Sequence, residues 1–188
     1  MARWDPGAEQ RLKRAAVELY LERGYDNVTV SDIAERAGLT RRSYFRYFPD
    51  KREVLFAGSE RMPPALAKAV LAADPALTPL AAALDALARV GTQLVEQVAD
   101  IAERQAVIDA SPELQERERT KAAAITAAIR DGLKQRQVTA DTAELVAQLA
   151  TVAFQNAFRH WIATAGQADF RRCLHMVTDD LRAALAGT

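Results

Sequence analysis

Residues 29–51, TVSDIAERAGLTRRSYFRYFPDK, leave little freedom in how the chain around them folds. Thr29 is a helix start signal, because its side-chain oxygen can accept from the free backbone N–H of Ser31 or Asp32, and Asp32 suits the positive end of the helix dipole. Ile33, Ala34 and Ala37 then put apolar groups on one face at helical spacing. Gly38 takes φ > 0 without steric cost and lets the chain reverse. Leu39 plugs the space between the helices and Thr40 caps the second one. Arg41, Arg42 and Ser43 form its first turn. At about 3.6 residues per turn, Tyr44, Phe45 and Phe48 share one face, while Arg42, Ser43, Arg46 and Tyr47 fan over the other. Pro49 ends the helix, having no N–H and clashing with the preceding turn. Asp50 begins another, with Glu53 at capping-box spacing. Lys51 stands at that helix start, where its charge opposes the dipole. A nearby anion, such as a phosphate, accounts for it.

Two short helices joined by a tight glycine turn, the second with an outward arc of guanidinium, hydroxyl and phenol groups, make a helix-turn-helix, a motif that reads the major groove of DNA. Arginine suits a bidentate contact to guanine, and Ser43 and Tyr47 suit hydrogen bonds to phosphates or base edges. Upstream, Glu9–Arg23 carries an apolar stripe of Leu12, Ala15, Ala16, Leu19 and Tyr20, and Gly24 stops it. Blander roles stay open. Thr29 and Asp50 serve equally as plain helix caps, Arg46 as a solvated charge and Tyr44 as core.

Residues 9–58 resemble the DNA-binding domain of the tetracycline-repressor-like (TetR) family. The likeness rests on the Gly24-Tyr25 corner, the string T-V-S-D-I-A-E-R-A-G-L-T and the string Y-F-R-Y-F-P-D-K-R-E-V-L from Tyr44 to Leu55. It implies an all-helical homodimer that binds a palindromic operator and releases it when a small molecule occupies the C-terminal domain. By position, Thr29, Tyr47 and Lys51 would hold phosphates, and Ser31, Arg41, Arg42 and Ser43 would face bases. Thr40 completes the expected DNA-binding set. Two positions depart from the family's commonest pattern. Arg42 stands where a small residue or proline is frequent, and Phe45 where tyrosine is. Phe45 lacks the hydroxyl that elsewhere reaches phosphate, so it is left out of the expected site.

The whole chain has no net charge, with 25 Lys+Arg against 25 Asp+Glu, which at first argues against DNA. Residues 1–58 hold 11 basic and 9 acidic side chains and residues 59–188 hold 14 and 16, a weak asymmetry. The inference therefore rests on local placement: Arg41, Arg42, Arg46, Lys51 and Arg52 against Asp50 alone. Cys173, the single cysteine, excludes an intramolecular disulfide and sits on an apolar helix face. The first ten residues, MARWDPGAEQ, carry no apolar signal region. The longest apolar stretch, Leu145 to Phe158, includes Gln148, Gln155 and Asn156 and is too short to span a membrane. A cytoplasmic protein is expected.

The remaining two-thirds reads as helix throughout. Met62-Pro63-Pro64 is expected to close the segment begun at Asp50, with a short helix following to Ala73. Thr78-Pro79 and Ser111-Pro112 are cap-plus-proline starts. Between them runs a long stretch with Leu84, Leu87, Val90, Leu94, Val98, Ile101 and Ile108 as apolar positions and a break near Asp100. The next helix is charged early and apolar later, at Ile125, Ile129 and Leu133. Ala143–Thr164 is apolar around most of its circumference and must be covered on all sides. Phe170, Leu174, Val177, Leu181 and Leu185 then form a narrow seam. In the resembling family these two helices pair with their copies, which places a dimer interface on Leu149, Ala153, Leu174, Val177 and Leu181; a core-only role is the alternative. An effector pocket is expected between the Pro79–Leu133 helices and Phe154, Phe158 and Trp161, unless those rings simply fill the core. Its apolar lining favours a lipophilic or acyl-bearing ligand. The string RQAVIDASPEL, from Arg104 to Leu114, is also similar to a subgroup related to the mycofactocin-system regulator, which is linked to acyl-coenzyme A ligands.

The expected fold is thus all-α: a three-helix helix-turn-helix domain over 1–58, then a larger helical ligand-binding and dimerisation domain over 59–188. The expected partners are double-stranded DNA, a small effector and a second copy of the chain, with no membrane, cofactor or metal. Two other readings remain. A helical homodimeric interaction module explains the C-terminal helices but not the arginines near Gly38. A small helical enzyme finds no catalytic residues: His160 and His175 lack any ligand or triad spacing, and no catalytic or nucleotide-binding string occurs.

Overall fold

The computed structural model describes residues 7–97, 100–164 and 166–186, without the side chains of 96, 97 and 185. Val98 and the Leu185 side chain therefore lie outside the described residues. Every regular element described is helical: α1 (Ala8–Arg23), α2 (Val30–Arg36), α3 (Arg41–Tyr44), α4 (Glu53–Phe56), a 3-10 turn (Ser59–Arg61), α5 (Met62–Leu71), α6 (Pro79–Gln97), α7 (Ile101–Asp109), α8 (Pro112–Gln135), α9 (Ala140–Ala163) and α10 (Phe170–Ala186). No described helix is long and apolar enough to cross a membrane.

The chain divides into two compact units, the first formed by Met1–Gly58 with Asp100–Glu118 and the second by Ser59–Ala99 with Arg119–Thr188. In the first, Leu12, Leu19, Ile33 and Tyr44 share a core with Ile108 and Leu114. The segment 100–118 thus gives the first unit apolar side chains that α1–α4 alone do not supply. Polar ties hold it there. Arg104 Nη1 donates to Leu55 O at the end of α4 (2.8 Å), Tyr25 Oη to Glu113 Oε1 (3.1 Å), and Arg117 pairs with Glu53. The break expected near Asp100 is present. Asp100 itself has a φ of 56°, a conformation that aspartate tolerates better than most residues.

The second unit packs α9 against α10 and α6 around Leu66, Val70, Leu87, Ile129, Leu133 and Phe170. Ala143, Ala147, Ala150 and Ala157 are fully buried and let neighbouring helices approach. Arg136 donates to Ala73 O (2.6 Å) and Asp74 O (2.9 Å), closing the chain just past α5. Two expectations are corrected. Pro63 and Pro64 do not close a helix but open α5, in the first turn where the missing N–H is harmless. Ala153 and Leu174, expected at a dimer interface, are only 4% and 3% exposed and belong to the unit's own core, because α6, α9 and α10 pack against one another there. The large apolar side chains that α9 and α10 leave exposed are Leu145, Val152 and Met176. Phe154, Phe158 and Trp161 form a stacked row with 6.2 Å between successive ring centroids, and Phe170 meets Phe154 edge-on at 5.5 Å. Phe154 is buried in this packing. Cys173 is also buried, which raises its thiol above the ordinary value.

Candidate nucleic-acid interface

The start of α2 is fixed by a reciprocal capping box, in which the cap residue and the third helical residue each bond the other's backbone. Thr29 Oγ1 accepts from Asp32 N at 3.2 Å. Asp32 Oδ2 accepts from Thr29 N at 2.8 Å. The Thr29 hydroxyl also donates to Asp32 Oδ2, and with the bond from Thr29 N it holds the Asp32 carboxyl below its usual range. The far end closes with Gly38 at φ 69°, Leu39 N donating to Ala34 O (2.8 Å) and Gly38 N to Glu35 O (2.9 Å). This is the glycine-based pair of bonds that satisfies the last carbonyls of a helix. Arg36 forks onto Glu22 at 3.0 and 2.9 Å. The two-pronged contact ties α2 to α1.

Thr40 caps α3 by accepting from Ser43 N (3.1 Å). The helix is shorter than expected. After Tyr44, Arg46 N reaches Ser43 O (3.2 Å) and Tyr47 N reaches Tyr44 O (2.9 Å). These are bonds of the tighter i→i−3 kind. Tyr44 anchors the turn, fully buried, donating to Asp50 O (3.0 Å) and touching Phe45 and Phe48. Phe45, expected on the inner face, is instead 45% exposed.

The outward edge consists of Arg41, Arg42, Phe45 and Arg46, all exposed, with Ser43 and Tyr47 half-buried beside them. Arg41 lies over the Phe45 ring (5.5 Å) and Arg46 over the Tyr47 ring (5.2 Å). None of the three arginines pairs with a carboxylate among the described residues. Asp50, the nearest acid on the C-terminal side, is engaged elsewhere. Asp50 accepts from Arg52 N, Glu53 N and the Arg52 guanidinium at 2.8–3.1 Å. Burial raises the Asp50 carboxyl, but those bonds together outweigh it and hold the group below its usual range. Thr29 and Ser31 are exposed at the start of α2.

Lys51 is the clearest departure from the sequence reading. Its ammonium donates to Tyr25 O (3.0 Å) and Val28 O (3.3 Å) and sits 4.0 Å from the Tyr25 ring centroid. The charge thus has two carbonyl partners and an aromatic face inside the unit, where the sequence suggested an anion.

A capped helix pair with an unneutralised arginine edge defines a helix-turn-helix domain of the nucleic-acid-binding class. Residues 12–57 match the family model described as bacterial regulatory proteins, tetR family. The N-terminal domain is thus similar to that of bacterial regulatory proteins of the tetR family. It is 42% identical over 57 residues to the HTH-type transcriptional regulator TcmR of Streptomyces glaucescens, a match covering 26% of this chain and 25% of that protein. The matched part thus spans about a quarter of such curated relatives. Across the whole chain the fold is shared with SmeT in its triclosan complex (TM-score 0.66, 16% identity, 95% of this chain and 91% of that one). It is shared also with FadR from Bacillus subtilis in complex with stearoyl-CoA (TM-score 0.57, 18% identity, 90% and 95%).

Proposed function

We propose that the chain is a ligand-responsive transcriptional regulator, a cytoplasmic homodimeric repressor that leaves a palindromic DNA operator when a lipophilic or acyl-CoA-type effector binds. The observation that carries the DNA reading is the set of three exposed guanidiniums on the α3 edge with no carboxylate beside them. Arg41, Arg42 and Ser43 face bases together with Ser31; Thr29, Thr40, Tyr47 and Lys51 face phosphates. An ammonium has three N–H donors, so Lys51 has one left after its two carbonyls.

Residues 1–58 are the reading domain and 59–188 the ligand-binding and dimerisation domain, with 100–118 packed into the first compact unit. Leu149, Val177 and Leu181 remain half-exposed on α9 and α10 and line the dimer face with the exposed Leu145, Val152 and Met176. Phe154, Phe158 and Trp161 form one wall of the effector site. Two proteins of the same fold are known in complex with triclosan and with stearoyl-CoA, ligands with large apolar parts, which supports an effector of that character.

The test is selection of duplexes from a random-sequence library, followed by binding isotherms across a salt series with and without stearoyl-CoA. A recovered palindrome, bound with a strong inverse dependence on salt, is expected. Recovery of no preferred sequence would refute the assignment and favour an interaction module. Retention of the palindrome at saturating stearoyl-CoA would remove the acyl-CoA part alone.

A further inference from the structure

Phe45 is an exposed phenyl ring set among Arg41, Arg42 and Arg46. Single exposed apolar side chains are ordinary on protein surfaces, but this one is held in place. Tyr44 meets it edge-on from below at 5.7 Å, with an interplanar angle of 83°. The Arg41 guanidinium lies 5.5 Å from its centroid, the face contact of a cation with an aromatic ring. Without a hydroxyl the ring cannot donate to a phosphate. An apolar protein partner would have to strip water from three neighbouring guanidiniums without pairing them, which is unfavourable. The major groove asks for no such loss. It offers acceptors to the guanidiniums and one apolar feature to the ring, the C5-methyl group of thymine.

We infer that Phe45 is a specificity-determining residue that packs on a thymine methyl, next to a base pair whose guanine Arg41 reads. The adjacency follows from spacing. The ring and the guanidinium are 5.5 Å apart. Successive base pairs rise about 3.4 Å, so the two groups address neighbouring steps. The inference rests on the DNA-reading proposal and deepens it, because it predicts a thymine–guanine step in each half-site.

The experiment uses the full chain and a duplex that it selects from a random library. Each thymine is replaced singly by uracil, which removes only the methyl group. At one position per half-site the wild type should bind about fourfold more weakly, the value of one buried methyl. Phe45→Ala should bind the thymine duplex more weakly and be indifferent to that replacement, while Phe45→Leu should keep most of the discrimination. Arg41→Ala should lose preference at the adjacent guanine. The inference is overturned if no thymine-to-uracil change affects the wild type, or if Phe45→Ala keeps the fourfold difference. Either result with a selected palindrome in hand leaves DNA reading intact, whereas failure to select any duplex overturns both.

Discussion

Gly91→Ala gives a sharp test of how tightly the second unit is packed. Gly91 is buried inside α6, where alanine is favoured over glycine by about 1 kcal/mol on helix propensity alone. A Cβ built there, however, collides with Phe170 Cε1 and lies 2.9 Å from Phe170 Cδ1 and 3.0 Å from Phe154 Cε2. Phe170 is 1% exposed and Phe154 6%, the two rings meet edge-on at 5.5 Å, and Phe154 stacks on the Phe158–Trp161 pair, so a shift of either ring disturbs its neighbours. Overpacking of this kind destabilises by about 1–3 kcal/mol, and rigid rings place the variant in the upper half of that range. After the propensity gain the net loss is about 1–2 kcal/mol, a fall of about 3–6 °C in melting temperature for a chain of this size. Circular dichroism melts compare the two proteins. In a Phe170→Leu background the ring edge is gone, and Gly91→Ala should then be neutral or stabilising. A Gly91→Ala protein that melts at or above the wild-type temperature would mean that Phe170 swings aside readily, and the packed aromatic row would have to be redrawn as a cavity.

Arg42→Ala should weaken binding to the selected operator by about 1–3 kcal/mol and binding to random duplex by less; equal loss in titrations on both would reassign Arg42 to a phosphate. Lys51→Met should lower the urea midpoint by about 1–2 kcal/mol of stability through loss of its two carbonyl bonds, and should reduce the salt slope of DNA binding by about one. An unchanged midpoint would contradict its structural role. Leu145→Glu with Val152→Glu should convert the protein to a monomer in sedimentation velocity and abolish high-affinity palindrome binding, and unchanged sedimentation would move the dimer face elsewhere. Glu22, through its hydrogen bond from Arg36, and Asp32, through those from Thr29, are held below their ordinary values. Between the lowered folded pKa and the ordinary one, at about pH 4, the unfolded chain binds more protons. The stabilisation is therefore fully present above the ordinary pKa and is lost as pH falls through the folded one. In melts from about pH 7 down to about pH 2.5, Arg36→Ala should flatten that acid limb, and an identical limb would refute the assignment.

What is legible in the sequence is local. Thr29 with Asp32, Thr40 with Ser43 and Gly38 each act within a few residues of themselves, and all three take the roles their chemistry dictates. The misplaced residues depend on geometry beyond one turn. The wheel groups Phe45 with Tyr44 and Phe48, but Phe45 lies about 100° round from the buried Tyr44, at the edge of the apolar face, and it stays exposed there. Spacing alone does not say how wide a face the neighbouring helices cover. Lys51 finds its partners 26 and 23 residues earlier in the chain. Arg104 finds Leu55 O at a separation of 49, so no periodicity could bind 100–118 to the first unit. For Ala153 and Leu174 the spacing correctly marks a buried stripe, but spacing does not say whether the cover is the same chain or another.

The same distinction resolves the charge problem. A chain with no net charge is a poor candidate for DNA only if its charges are spread evenly. Five acids of the first unit are held by bases of the same unit: Glu9 by Lys13, Glu18 and Glu22 by Arg36, Asp50 by Arg52, and Glu53 by Arg117. Each such contact weakens the field that the paired charges project at a few ångströms. Among the described residues, Arg41, Arg42 and Arg46 have no carboxylate partner, and they share one edge formed by α3 and the turn after it. Counterion release depends on how many phosphates are neutralised at contact, not on the sum over the chain, and contributes a slope of about −0.9 per phosphate. Reversing a remote charge should therefore leave the salt slope unchanged. Restoring an acid beside this edge, as in Ser43→Glu, should reduce the slope by about one while leaving the net charge within one unit of its present value.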